Sequence, residues 1–286
     1  MFRDGRTAGF VREEEAMCVN CGCGNSNKGH RHETQGRPVS PGQFRNSHHS
    51  HSHGESESSE TRRIFLEMDI LDRNDRLADE NRIFFREKGV LSLNLLSGPG
   101  AGKTTLIEKT AGALAKRFPL MVIEGDQATS RDADRIRQKG IPAIQINTGQ
   151  GCHLDAHMVG HASEELPLVS GGVLFIENVG NLVCPALFDL GESARVVLFS
   201  VTEGEDKPLK YPGMFQWADL VLLTKTDLLP YLDFDRDTAV NYIRAMNPDV
   251  TIHLLSSKTG EGLEGWIGWI DERRIRADET SARTDA

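Results

Sequence analysis

The stretch Leu91-Ser92-Leu93-Asn94-Leu95-Leu96-Ser97-Gly98-Pro99-Gly100-Ala101-Gly102-Lys103-Thr104-Thr105 decides the fold. Its first half is a short apolar-rich run and an amphipathic segment follows it, so the order is strand, glycine-rich loop, helix. Small residues let a backbone wrap an anion, and the loop N–H groups and the helix N-terminus then face it. Gly98, Gly100, Ala101, Gly102 and Thr105 shape that wrap. Lys103 is placed to reach β- and γ-phosphates, and the Thr104 hydroxyl to bind Mg²⁺. The strict pattern has glycine six residues before the lysine. Ser97 stands there, and Gly98 supplies the flexibility one residue later.

Outward from this loop, apolar runs at 91–96, 120–123, 143–146, 173–176, 196–201, 220–223 and 251–255 read as strands. Amphipathic segments at 103–116, 131–139, 153–165, 235–246 and 262–273 read as helices, after an earlier stretch at 61–88, one helix or one broken in two, that ends at Gly89. Strands apolar throughout and separated by helices imply an α/β fold of the P-loop NTPase kind, a mostly parallel sheet with helices on both faces. We place this domain at 64–275 and a polar tail at 276–286. Residues 24–63 have no hydrophobic period and are rich in Gly, Ser, Glu, Pro and His, so residues 1–63 are expected to form a flexible extension.

The net charge of −9 is unevenly placed: residues 1–63 hold 9 Lys/Arg and 8 Asp/Glu, a net +1, and the remainder carries −10. An acidic body without a basic stripe argues against nucleic acid as a partner. No stretch approaches the roughly 18 consecutive apolar residues of a membrane helix, and the first residues carry no signal-peptide core, so no membrane association and a cytoplasmic location are expected.

Base identity is read from a second region. The run 220–223 ends in Thr224-Lys225-Thr226-Asp227, which resembles the guanine-reading Asn-Lys-x-Asp motif with Thr224 in place of Asn. A carboxylate at Asp227 accepts from the guanine N1 and N2 donors, which adenine lacks, and Lys225 stacks along the base. Ser256-Ser257-Lys258, after the next strand, resembles the Ser-Ala-Lys guanine loop, with Ser256 and Lys258 as contacts. The expected nucleotide is therefore GTP. Glu177-Asn178-Val179-Gly180 stands where many GTPases have Asp-x-x-Gly: Glu177 meets Mg²⁺ or its water, and the Gly180 N–H meets the γ-phosphate. Asp126 is a second acid aimed at the same place, either orienting the attacking water or binding Mg²⁺. Lys103, Asp126 and Glu177 are the expected catalytic residues.

Two groups suit a soft or borderline metal. Cys18, Cys21 and Cys23 lie within six residues, interleaved with glycine, and suit Ni²⁺ in a square plane or Zn²⁺ in a tetrahedron. Six of the ten histidines lie between residues 24 and 63, including His48, His49, His51 and His53, which suggests divalent-metal buffering. In the nucleotide domain, Cys152-His153 is expected to start a helix carrying His157 and His161 on the same face, for ligation or for a plain helix-face role. Cys184 follows Gly180 by four residues, so a metal held there would feel the γ-phosphate loop.

Taken together, Met17-Cys18-Val19-Asn20-Cys21-Gly22-Cys23, the His-rich segment, Gly98 to Thr104, Glu124-Gly125-Asp126, Thr148-Gly149-Gln150-Gly151-Cys152-His153-Leu154-Asp155, Glu177 to Pro185, and Lys207-Pro208-Leu209-Lys210-Tyr211-Pro212 resemble the HypB family, the GTPases of [NiFe]-hydrogenase maturation. The resemblance implies a homodimer binding Ni²⁺ or Zn²⁺ through Cys152, His153 and Cys184. It also implies a HypA-like nickel accessory protein as partner and delivery to the hydrogenase large subunit. Family members generally begin at the position of Met17, so translation is expected to start there. A urease-type nickel GTPase shares the phosphate loop and the His-rich extension, but its Cys-Pro-His motif is missing from this sequence. A nickel storage protein would have the ligands without GTP turnover, and a small-molecule kinase would not need Asp227.

Overall fold

The computed structural model describes residues 59–114, 117–127 and 131–284. The Cys18, Cys21 and Cys23 cluster, the His-rich segment and Met17 lie outside them.

Strands β1 (Leu91–Ser97), β2 (Leu120–Asp126), β3 (Ala143–Asn147), β4 (Val173–Glu177), β5 (Ala194–Ser200), β6 (Leu220–Thr224) and β7 (Thr251–Leu255) form one sheet in the order β3-β2-β4-β1-β5-β6-β7. Every pairing is parallel. All seven expected strands are present, and most of them extend to a polar residue just past the apolar run. The helices are α1 (Ser59–Glu87), α2 (Lys103–Leu114), α3 (Arg131–Arg137), α4 (Ala156–Glu165), α5 (Lys207–Lys210), α6 (Pro212–Gln216), α7 (Arg236–Met246) and α8 (Leu263–Thr284), with 3₁₀ turns at Cys184–Ala186 and Thr226–Tyr231. Both ends of the described chain are more helical than expected: α1 is one unbroken helix, and α8 runs past Arg273 into the polar tail as far as Thr284. No described helix is long and apolar enough to cross a membrane.

Side chains alternate across a strand, so each strand feeds two cores. Leu91, Leu93 and Leu95 join Phe175, Leu198 and Leu222 under α2, α3 and α8, with the fully buried Trp266 at the centre. On the other face, Val197, Phe199 and Leu223 pack against α6 and α7, while Ile123, Leu174 and Ile176 pack against α1 and α4. Between these two clusters β1 departs from an apolar reading. Ser92 and Asn94 are fully buried there, and Asn94 Nδ2 donates to Glu192 Oε1 at 3.2 Å. Glu192 is in turn paired with Arg195 at 2.6 Å. A polar seam therefore runs through the middle of the second face, hydrogen-bonded as burial demands.

One expected helix start moves. His153 is not helical: Asp155 is the N-cap of α4, its side chain accepting from Met158 N, so the helix opens at Ala156 and Cys152-His153 lies in the preceding loop. Two buried asparagines of α1 fix that start. Asn74 Oδ1 accepts from Ala156 N at 2.9 Å, and Asn81 Nδ2 donates to Ala156 O at 2.7 Å.

Candidate functional site

The phosphate loop leaves β1 at Ser97 and re-enters regular structure at Lys103. Gly100 (φ 72°) and Gly102 (φ 103°) adopt left-handed backbone that a side chain would strain. Ser97, the departure from the strict pattern, has a role of its own: its Oγ accepts from Lys103 Nζ at 2.8 Å and donates to Gly98 O at 2.6 Å. The serine thus holds the lysine beside the loop. Burial pushes the Lys103 ammonium below its ordinary pKa, opposed by Glu177, Glu124 and Glu203.

Above the loop lies a cavity of about 450 Å³, bounded by Lys103, Thr104, Thr105, Glu124, Asp126, Glu177 and Gly180 among others. Thr104 Oγ1 donates to Glu177 Oε1 at 2.7 Å. Gly180 is pressed against the loop, since a Cβ there would meet Pro99 Cα at 2.9 Å. Asp126 is half-buried on the cavity wall, its Oδ1 accepting from Gln127 N. Glu124, a residue to which the motifs assign no role, joins it. It is 3% exposed and stands opposite Glu177 across β2 and β4, and Oε2 of each carboxyl has no hydrogen-bond partner among the described residues. Burial raises Glu124 to about 8, with help from Glu177 and Asp126. Burial likewise raises Glu177 to about 7, against the pull of Lys103 and the Thr104 hydroxyl. Hard oxygen donors with orphaned lone pairs beside a phosphate loop fit Mg²⁺, which Thr104, Glu177 and Asp126 could hold with Glu124 beside them. Asp132 and Arg135, outside every motif, close the far wall as an ion pair.

A second cavity of about 330 Å³ shares Gly102 and Thr105 with the first and continues to Lys225, Asp227, Ser257 and Lys258. Lys225 turns the chain through left-handed φ (60°), the one non-glycine among the described residues to do so, and this brings Asp227 to the cavity wall. Ser256 is fully buried and meets the cavity only through Asp227, whose Oδ1 accepts from its Oγ at 2.7 Å. Lys258 Nζ lies 3.9 Å from the other carboxylate oxygen. A nucleotide with its phosphates on the loop would therefore have its base against a fixed carboxylate.

The third constellation joins the loop after β3 to the loop after β4. Ligand atoms of Cys152, His153 and Cys184 all lie within 4.8 Å of one another, and both cysteines are free thiols. His153 stacks on Phe188 at 3.9 Å between ring centroids. Burial lowers the pKa of its imidazole and raises that of the Cys152 thiol, which Cys184 raises further. Two thiols and a neutral imidazole are a donor set for Ni²⁺ or Zn²⁺ with room for a fourth ligand. His157 and His161 do not join them: they form their own pair one turn apart on α4, Nε2 to Nε2 at 3.2 Å.

A parallel sheet, a phosphate loop and an adjoining base cavity define a P-loop nucleotide-binding protein. Residues 92–253 match the model of the CobW/HypB/UreG nucleotide-binding domain. The chain is 58% identical over 228 residues to the hydrogenase maturation factor HypB of Azotobacter chroococcum mcd 1, covering 80% of this chain and 74% of that one. It is 47% identical over 288 residues to HypB of Escherichia coli (strain K12), covering 90% and 99% respectively. Among solved structures, HypB from Helicobacter pylori in complex with nickel superposes with a TM-score of 0.68 at 40% identity, covering 71% of this chain and 96% of that one. The chain belongs to the CobW/HypB/UreG family and, within it, to the HypB hydrogenase maturation factors.

Proposed function

We propose that this protein hydrolyses GTP and uses the nucleotide state to control the capture and release of nickel destined for the [NiFe]-hydrogenase large subunit. One observation carries the reading: the loop after β4 lines the nucleotide cavity with Asn178, Val179 and Gly180 and, four residues further on, bears Cys184, whose thiol is gathered with Cys152 and His153 of the loop after β3. The nickel complex of the Helicobacter pylori relative supports nickel as the cargo. Three protein donors leave a position open, which suits a ligand from a second copy in a homodimer, a HypA-like accessory protein or the client. Zn²⁺ would compete for the same thiolates. A cytoplasmic setting, where thiols stay reduced, is consistent with two free cysteines here.

In the hydrolytic step, Lys103 leaves Ser97 to meet the β- and γ-phosphates, and the loop N–H groups stabilise charge building on the transferred group. A bound Mg²⁺ would supply positive charge against the phosphates. Thr104 and Glu177 would hold it, and Asp126 would orient the water or share in holding the ion. Gly180 contacts the γ-phosphate through its N–H, so loss of that phosphate frees the segment leading to Cys184. The test is nickel titration of the parent and of Cys184→Ala with a non-hydrolysable GTP analogue and with GDP. The parent is expected to bind nickel with a difference of about 5- to 150-fold between the two states, and Cys184→Ala to lose the internal site. Equal parent affinities in both states, or turnover of ATP as fast as GTP, would refute the reading.

A further inference from the structure

Cys184 is tied to the γ-phosphate segment by four residues of chain, but Cys152 and His153 come from a different loop and need a link of their own. Asn178 supplies one. It follows Glu177 directly, precedes Gly180 by two residues and is 1% exposed. Its Oδ1 accepts from Leu154 N at 3.2 Å and from Val179 N at 2.9 Å. Leu154 is the residue after His153 and is itself fully buried. Its side chain lies against Gly125, where a Cβ would meet three of its carbon atoms at 2.7 to 2.9 Å. On its far side, Asn178 Nδ2 donates to Asn94 Oδ1 at 3.4 Å, which anchors the carboxamide to the polar seam through Asn94 and Glu192.

We propose that Asn178 is the positioning residue through which the γ-phosphate segment sets the Cys152-His153 half of the metal site. The inference rests on the proposed nucleotide control of nickel binding and assigns it a second route, independent of the covalent one to Cys184. The reason is geometric. Gly180 sits so near Pro99 that no Cβ would fit between them, so a change at the γ-phosphate moves 178–180 away from the loop or turns it. Leu154 N is buried, and an abandoned buried N–H is costly, so the peptide at 154 either follows the carboxamide or loses its partner. In either case Cys152 and His153 shift against Cys184. With both halves of the ligand set fastened to one moving segment, the cluster opens or closes as a unit.

The experiment uses the full chain carrying Cys18→Ser, Cys21→Ser and Cys23→Ser, so that thiolate-to-nickel absorption reports the internal site alone. Nickel affinity is measured by chelator competition with a non-hydrolysable GTP analogue and with GDP. In Asn178→Ala the ratio between states is expected to fall by at least about threefold toward one, while Asn178→Asp, which keeps the acceptor opposite Leu154 N, retains the parent ratio. Asn178→Ala with the parent ratio overturns the inference, as does Asn178→Asp as uncoupled as Asn178→Ala. A parent ratio of one refutes nucleotide control itself and is thereby distinguishable. Should Asn178→Ala not fold, hydrogen exchange in the unsubstituted protein decides: the Leu154 amide is expected to exchange at different rates in the two nucleotide states, and equal rates overturn the inference.

Discussion

Thr224 Oγ1 donates a 3.0 Å hydrogen bond to the backbone carbonyl of Ala101, joining the end of β6 to the middle of the phosphate loop. Both residues are buried, so the bond is shielded from water. The threonine that replaces Asn in the guanine motif lines the second cavity and, through this bond, fixes its distance from the phosphate cavity.

Replacing it tests that role. Thr224→Val keeps the shape and removes the donor, leaving the Ala101 carbonyl unpaired at a cost of about 1 kcal/mol or more. Release of a fluorescent GDP analogue is expected to quicken by about fivefold. A rate equal to the parent's would show the bond to be idle.

The facing carboxyls Glu124 and Glu177 make the nucleotide-free protein sensitive to pH. Both pKa values are raised above the ordinary carboxylate range, to about 8 and about 7. From the ordinary carboxylate pKa up to about 8 the folded chain thus binds more protons than the unfolded one, and these two groups lower stability as pH rises through that window. Thermal melting without Mg²⁺ or nucleotide should show this loss, and Glu124→Gln should flatten it. Divalent cations need the ionised forms, so the Mg²⁺ affinity of the nucleotide complex should rise from about pH 6.5 to about pH 8.5, with a slope on the order of tenfold per pH unit for each proton released. A flat profile contradicts the assignment of these two groups to the cation.

Gly125→Ala forces a methyl group into Leu154. Overpacking of this kind costs about 1 to 3 kcal/mol, and a lower melting temperature is expected. Because the clash is with one side chain, Leu154→Ala should largely relieve it, so the double variant is more stable than the two single losses predict. Additive losses would place the strain elsewhere.

The parts of the site that lie close together along the chain are legible in the sequence. The phosphate loop is a run of consecutive residues flanked by its own strand and helix, and the strands of a sheet covered on both faces are apolar almost throughout. The base motif is readable for the same reason. What depends on which strands are neighbours is not. Glu124 stands just past the apolar run 120–123 with no task assigned to it; only the pairing of β2 with β4 sets it against Glu177. Asn178 stands inside a motif that assigns it no task, because its partners Asn94 and Leu154 are 84 and 24 residues away. The start of α4 differs from the expected one although its signal is present: Asp155 is a capping residue, and its side chain, not the histidine, opens the helix. Ser256, expected as a base contact, is fully buried and donates to Asp227, a pairing that follows from two loops 29 residues apart.

The stacking of His153 on Phe188, 3.9 Å between centroids with the planes 25° apart, has a consequence for how quickly the site can fill and empty. The phenyl ring covers one face of the imidazole and leaves the in-plane lone pair open, so rotation of the histidine about its Cβ–Cγ bond is the motion most hindered. The ring is already oriented when an ion arrives, and the entropy of orienting it was lost during folding, not at capture. Exchange of an ion would then be set by how the loops bearing His153 and Cys184 move against each other, and not by reorientation of the imidazole on its own bond.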